Sequence, residues 1–295
     1  MSIFADSSGQ TKMLTKKGLS LLGCISLACL ACACAAIQPP DPNGPRTSGP
    51  LYPIVLTQEA ERAQASIDGF KRLTQSSGIK AEVTLQPITA TIQSVPMNLS
   101  TPLYLPKVGV EPEMNEEETR ESLRRLVTDW RLLIGADPAH LSLVERTDRP
   151  DGVKVAKYEQ RPFRYPLRGG YGLLEIQFLA NRALRNMTST CIPDAARLQA
   201  ALAQVVPKLS AADAIKLVQS SDIVHTDTKG QQITTRVAAT DQVSPVELVT
   251  YVLPATGRTD ALELHIAWEI SIGSSPGRLV YVDAVEGKVL GGLVT

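Results

Sequence analysis

The chain has 295 residues with 30 basic and 30 acidic side chains, so it carries no formal net charge. That balance gives no electrostatic footprint for a phosphate backbone and excludes nucleic acid as an expected partner. A composition of 43% hydrophobic and 20% charged residues excludes a wholly disordered chain and a multi-span membrane protein, and the length allows one large or two small cores. Cys24, Cys29, Cys32 and Cys34 crowd one short stretch, leaving Cys191 alone in the body, so internal disulfides cannot staple it.

Residues 18–37 are uncharged, follow Lys16 and Lys17, and end in small residues. A positive start, an apolar run and small residues make an export signal. The run is also just long enough, about 20 residues, to be a retained membrane span. Its cysteines resemble a bacterial lipoprotein signal, in which a cysteine after small residues is lipidated and becomes the first mature residue. Cys24 follows the better local pattern, Leu21-Leu22-Gly23, but Cys34 has the longer apolar stretch before it and a polar segment after it. The reading adopted is a signal peptide over 1–33 with lipidation of Cys34. Ordinary cleavage with release to the periplasm or medium is the alternative. Cutting before Cys34 removes Lys12, Lys16, Lys17 and Asp6, leaving 27 basic against 29 acidic groups. Prolines then recur through 38–53, too densely for a helix or central strand, so 34–53 reads as an extended tether.

A first helix is expected over 57–75, capped by Thr57, with Ala63, Ile67, Phe70 and Leu73 on one face. Alternation of Ile88, Ala90 and Ile92 with polar residues predicts a half-buried strand. A second helix starts at Asn115, whose spacing to Glu118 suits a capping box. Its stripe is Leu123, Leu126, Val127, Trp130 and Leu133, and Gly135 and Pro138 end it. An antiparallel meander is expected over 141–145, 153–160, 171–180 and 183–187. Helices follow over 194–206 and from Ser210, with Asp213 at the capping position. Strands resume over 233–239, 246–253, 262–272 and 279–284, with a tight turn at Glu286-Gly287 before Val289. In 262–272 the even positions from Leu262 to Ile272 are apolar and the odd ones, Glu263 to Ser271, face water. The fold class is therefore α+β, in two units of a curved antiparallel sheet packed on a helix, over 54–192 and 193–295.

Chemistry is sparse. No two of His140, His225 and His265 lie within five residues, which excludes a zincin helix, and His265 reads as a surface histidine on a wet strand face. Gly273-Ser274-Ser275-Pro276-Gly277 fits the nucleophile-elbow pattern but joins two antiparallel strands, so a hairpin loop is expected. Cys191 reads as a buried, inert thiol and Asp283 as a turn-side carboxylate. No catalytic residue, metal ligand or cofactor site is predicted, and the protein is expected not to be an enzyme. One cluster stands out: Tyr158, Arg161, Phe163, Arg164, Tyr165, Arg168 and Tyr171 interleave aromatics with arginines. That composition belongs to protein-interface hot spots.

Two segments carry a family resemblance. Tyr158-Glu159-Gln160, then Tyr165-Pro166-Leu167-Arg168-Gly169 and a long alternating strand, resembles the fungalysin/thermolysin propeptide domain, with Arg164 in place of that family's turn glycine. Leu209-Ser210-Ala211-Ala212-Asp213-Ala214, Trp268-Glu269-Ile270 and Val280 to Leu290 are similar to a PepSY domain. The tandem is the pro-region of secreted zinc metalloproteases, acting as chaperone and inhibitor. The resemblance implies two cystatin-like units, 54–192 and 193–295, and a propeptide-like protein without a protease domain. Its implied role is to bind a metalloprotease in trans, through the sheet edges and the aromatic–arginine cluster. An adaptor lipoprotein using the same fold for another envelope partner is the alternative. In either case Cys34→Ala, and not Cys24→Ala, is expected to abolish labelling of the protein by radioactive palmitate in growing cells.

Overall fold

The computed structural model describes residues 51–75, 82–95, 101–111, 113–226, 232–238, 240–273 and 278–294. The leader, including Cys34, lies outside them, as do residues 274–277 of the expected hairpin loop. Among the described residues no helix is long and apolar enough to cross a membrane.

The architecture is α+β. Strand β1 (Ile54–Thr57) leads to helix α1 (Ala60–Gln75), and short strands β2 (Thr84–Leu85) and β3 (Ile92–Ser94) pair with each other. Helices α2 (Glu116–Asp129) and α3 (Arg131–Ile134) precede strands β4 (Leu141–Asp148), β5 (Val153–Gln160), β6 (Leu167–Arg168), β7 (Leu173–Leu179) and β8 (Leu184–Ser189). Helices α4 (Ala195–Leu202) and α5 (Ala211–Ser220) come next. Strands β9 (Asp222–Thr226), β10 (Gln232–Arg236), β11 (Val243–Pro254), β12 (Ala261–Ile272), β13 (Arg278–Asp283) and β14 (Val289–Val294) complete the chain.

The strands form a four-stranded antiparallel sheet, β4-β5-β7-β8, and an eight-stranded mixed sheet, β10-β9-β14-β13-β12-β11-β6, with β1 added to β12. One face of the smaller sheet, Ala156, Leu174, Ile176, Phe178 and Met187, packs on the α2 stripe and on Phe70 of α1. Asn115 closes the expected capping box: its side chain accepts the Glu118 N–H, and the Glu118 carboxylate accepts its own. In the larger sheet, α4 and β1 pack over Leu262, Leu264 and Ile266, and Ala214 and Val218 of α5 pack over Ile270, Val280 and Val282.

Three local expectations need correction. Thr57 ends β1 instead of capping α1, and the buried face of α1 is Ser66, Gly69, Phe70 and Thr74. The face is small and polar because α1 lies close against Leu132, whose carbonyl accepts the Ser66 hydroxyl. Residues 87–89 form a turn instead of a strand, and only 92–94 are extended: the Ala90 N–H donates to the Gln86 carbonyl and Ala90 has φ 55°. The threonines read as solvent-facing are buried there, because Thr91 donates from its hydroxyl to the Ser189 carbonyl and meets Thr89 at 2.8 Å. Finally, β9 and β6 were not read from the pattern, and β6 joins the larger sheet beside β11.

Gln160, at the end of β5, ties the smaller sheet to Ile192, which packs in the core of the larger one. Its amide donates to the Ile192 carbonyl at 2.9 Å and accepts the Ile192 N–H at 2.8 Å, so a side chain takes the place of a strand partner for a fully buried residue. Gln160→Leu keeps the volume but leaves both Ile192 groups unpaired. The expected cost is about 2–5 kcal/mol, seen as a melting temperature lower by roughly 5–15 °C. Glu159→Gln, at a half-buried neighbour whose charge partner is the exposed Arg161, is expected to stay within about 0.5 kcal/mol.

Candidate functional site

Strand β12 is the strand read as half wet, and it is covered on both sides. His265, Ala267 and Glu269 are 4%, 0% and 5% exposed. His265 is therefore a buried residue, correcting the surface reading. The alternation itself is right, but the second face has its own cover, which period-2 patterning cannot reveal.

At one end of that face, His265 Nδ1 lies 2.7 Å from Asp283 Oδ2 and its Nε2 3.3 Å from Glu263 Oε2. The Tyr52 hydroxyl donates to Asp283 Oδ2 at 2.9 Å and accepts the Ile266 N–H at 3.1 Å. β1 pairs with Ala261–Leu264 and β13 with Ala267–Ile272, so the Ile266 N–H falls at the junction of two strands on one edge, and Tyr52 supplies its partner. Asp283 Oδ1 accepts the N–H groups of Val285 and Glu286, which makes it the turn-side carboxylate expected. Burial pushes the Asp283 carboxyl up, but the hydrogen bonds from His265, the two backbone N–H groups and Tyr52 outweigh it and hold it below its ordinary value. Burial, then the Asp283 charge, pushes the Tyr52 hydroxyl up.

In the middle, Tyr251 of β11 and Tyr281 of β13 stack at 4.1 Å between ring centroids, 16° from parallel. Their strands flank β12, so their backbones are about two strand spacings, roughly 9.6 Å, apart. The rings meet because Ala267 between them presents only a methyl group. At the other end Glu269 is paired by Arg168 of β6 at 2.9 Å; the same guanidinium holds Glu247 of β11 at 2.9 Å and the Leu167 carbonyl at 3.0 Å. Burial, then the Glu269 charge, pushes the Tyr281 hydroxyl up.

β6 pairs beside β11, its Arg168 side chain reaches over to Glu269, and the segment after β5 borders a groove of about 760 Å³. Five of the seven residues singled out from the sequence line it: Arg161, Phe163, Arg164, Arg168 and Tyr171. Opposite them stand Glu247, Leu279 and Tyr281. Tyr165 lies just behind, packed on the larger core, with the Arg164 guanidinium carbon 5.2 Å from its ring centroid. The Arg164 backbone N–H donates to the Gln199 side chain of α4 at 2.9 Å. Tyr158 is elsewhere: it packs on the smaller core below α2, and burial pushes its hydroxyl up to about 12. Gly169, at φ 90°, lies so close to β11 that a Cβ there would fall 2.1 Å from the Val252 carbonyl oxygen, which only glycine avoids.

Glu247, Leu279 and Tyr281 were missed in the sequence, although alternation with Leu248, Val280 and Val282 places all three on the second face. So was Tyr52, for which no local signal exists. Cys191 is fully buried, and burial pushes its thiol up to about 12. Among the described residues no group of three or more His, Cys, Asp or Glu side chains is arranged so that it could hold a metal ion. No protein-family model matches the chain, and a search of curated proteins finds no match.

The Asp283 network predicts an acid-sensitive stability. A carboxyl depressed in the folded state stabilises fully above its unfolded value of about 3.9, and that contribution is lost as pH falls through the lower folded value. Asp283→Asn is expected to be less stable than the parent at pH 7. Urea unfolding from pH 6 to pH 3 checks this, with the variant expected to lose less stability on acidification than the parent.

Proposed function

We propose that this chain is a non-enzymatic, exported, propeptide-like protein that binds a secreted zinc metalloprotease in trans and inhibits or chaperones it. The observation that carries the reading is the groove. It gathers most of the aromatic–arginine cluster on one open surface, with the aromatics backed by core and Arg164 fixed at its backbone and over Tyr165. Tyr, Phe and Arg held rigidly in a desolvated setting are the residues that supply most binding energy at protein interfaces.

The arrangement of layers supports the same reading. Each sheet carries helices on one face, α1 and α2 on the smaller and α4 and α5 on the larger, as two cystatin-like units over 54–192 and 193–295 would. The halves are also interlocked, since β1 and β6 come from the first half and pair in the sheet of the second. Two of the sheet edges are poor sites for strand addition. The free part of β11 holds Pro245 and a bulge between Pro245 and Glu247, and β4 has a bulge between Leu143 and Glu145, both devices that block strand addition. In this reading the lipid on Cys34 keeps the protein in the cell envelope.

Titrating thermolysin activity with the purified full-length chain tests the proposal. The expected result is saturable, stoichiometric loss of activity, with Arg164→Ala and Tyr165→Ala each raising the inhibition constant about tenfold or more, the loss of about 1.4 kcal/mol. If neither thermolysin nor a metalloprotease from the same cells is bound or inhibited, the proposal fails and the adaptor reading takes its place.

A further inference from the structure

The groove's charges say what kind of segment fills it, an inference that rests on reading the groove as a partner-binding surface. The charged side chains lining it are three arginines and two glutamates, Arg161, Arg164, Arg168, Glu159 and Glu247. Two of the arginines are already neutralised. Arg168 holds Glu247 at 2.9 Å and the deeper Glu269 at 2.9 Å, and its third nitrogen donates to the Leu167 carbonyl. Arg161 holds Glu159 at 2.9 Å. Arg164 has no carboxylate partner among the described residues, although its backbone is tied to α4 and its guanidinium lies over Tyr165. A guanidinium held in place beforehand loses less freedom when an anion arrives, and it matches a carboxylate with two parallel hydrogen bonds.

The rest of the lining is apolar. Leu173 is 47% exposed where β7 begins, and Leu279 and Phe163 face the same space. An exposed leucine beside a half-covered leucine and a phenylalanine is a seat for an aliphatic or aromatic side chain. The volume, about 760 Å³, exceeds one side chain and suits a short run of extended peptide.

We infer that the groove takes an extended segment of a partner protein in which an apolar side chain adjoins an aspartate or glutamate. The apolar group sits between Leu173, Leu279 and Phe163, and the carboxylate meets Arg164. A basic segment is disfavoured, because each lining glutamate is already held by an arginine while Arg164 would face it unpaired.

Fluorescence anisotropy of the full-length chain with labelled hexapeptides tests this. The probes are Gly-Ser-Leu-Glu-Ser-Gly and its two controls, with Lys in place of Glu and with Ser in place of Leu. The Leu-Glu peptide is expected to bind saturably, and each control about tenfold or more weaker. Arg164→Ala should erase the preference for Glu over Lys, Arg164→Lys should restore part of it, and Leu173→Asn should erase the preference for Leu over Ser. Both positions are exposed, and unchanged thermal melts confirm that the variants fold. No saturable binding, equal binding of the Lys peptide, or discrimination that survives Arg164→Ala overturns the inference. A protein that inhibits thermolysin yet shows no discrimination loses only this inference. One that discriminates but binds no protease keeps the groove's specificity and loses the protease as its partner.

Discussion

The fold depends on a strand covered on both faces that is built from a sequence with polar groups on one of them. β12 supplies one wall of the main core with Leu262, Leu264, Ile266 and Ile270, and its opposite face carries His265 and Glu269 with almost no access to water. Polar groups so placed cost several kcal/mol unless they are paired. Each has a partner brought from a distant part of the chain: Asp283 and, through it, Tyr52 for His265, and Arg168 for Glu269. Between the two polar clusters, the tyrosine stack over Ala267 excludes water and separates them.

That requirement explains why the halves of the chain interlock. Tyr52 lies two residues before β1, and Arg168 is in β6; both short strands leave the amino-terminal half to pair in the larger sheet. A two-residue strand such as β6 has little ladder to hold it. Its position is set by the Arg168 fork, by Gly169 against the Val252 carbonyl, and by Thr250, whose N–H donates to the Pro166 carbonyl at 2.8 Å. The groove adjoins the same segment, which lines it from Pro166 to Leu173.

What was legible in the sequence was what local physics decides. The capping box at Asn115, the α2 stripe, the turn at Asp283 and the alternation of β12 all reach three to ten residues along the chain, and the structure contains each. What was not legible is set by contacts across long separations. Nothing near His265 announces that its second face is covered, since the cover comes from Tyr52, 213 residues earlier in numbering, and from Asp283 on the next strand. Thr89 and Thr91 look like the wet half of a strand until Ser189 accepts from one of them in the interior. The aromatic–arginine cluster was visible as composition. Its division into five groove-lining residues and the core-packed Tyr158 and Tyr165 was not, because it is set by which core each aromatic meets, Tyr158 the smaller and Tyr165 the larger.

The edges sharpen where a partner is to be sought. An edge strand offers unpaired backbone groups to any extended peptide, and selectivity then rests on the side chains around it. Here β11 and β4 both interrupt their ladders with bulges, and β11 adds a proline, so backbone pairing in register is broken within a few residues. A surface that interrupts pairing along β11, yet fixes an arginine without a carboxylate partner among the described residues beside an exposed leucine, recognises by side chains. Affinity at such a surface is sensitive to single substitutions, because few groups carry it and each is held in one position. It is insensitive to sequence outside the contacted segment, since no ladder extends the contact. Both properties follow from the way Arg168 is drawn across β11 to reach Glu269, which places the demand for partner pairing inside the fold and leaves Arg164 for what comes from outside.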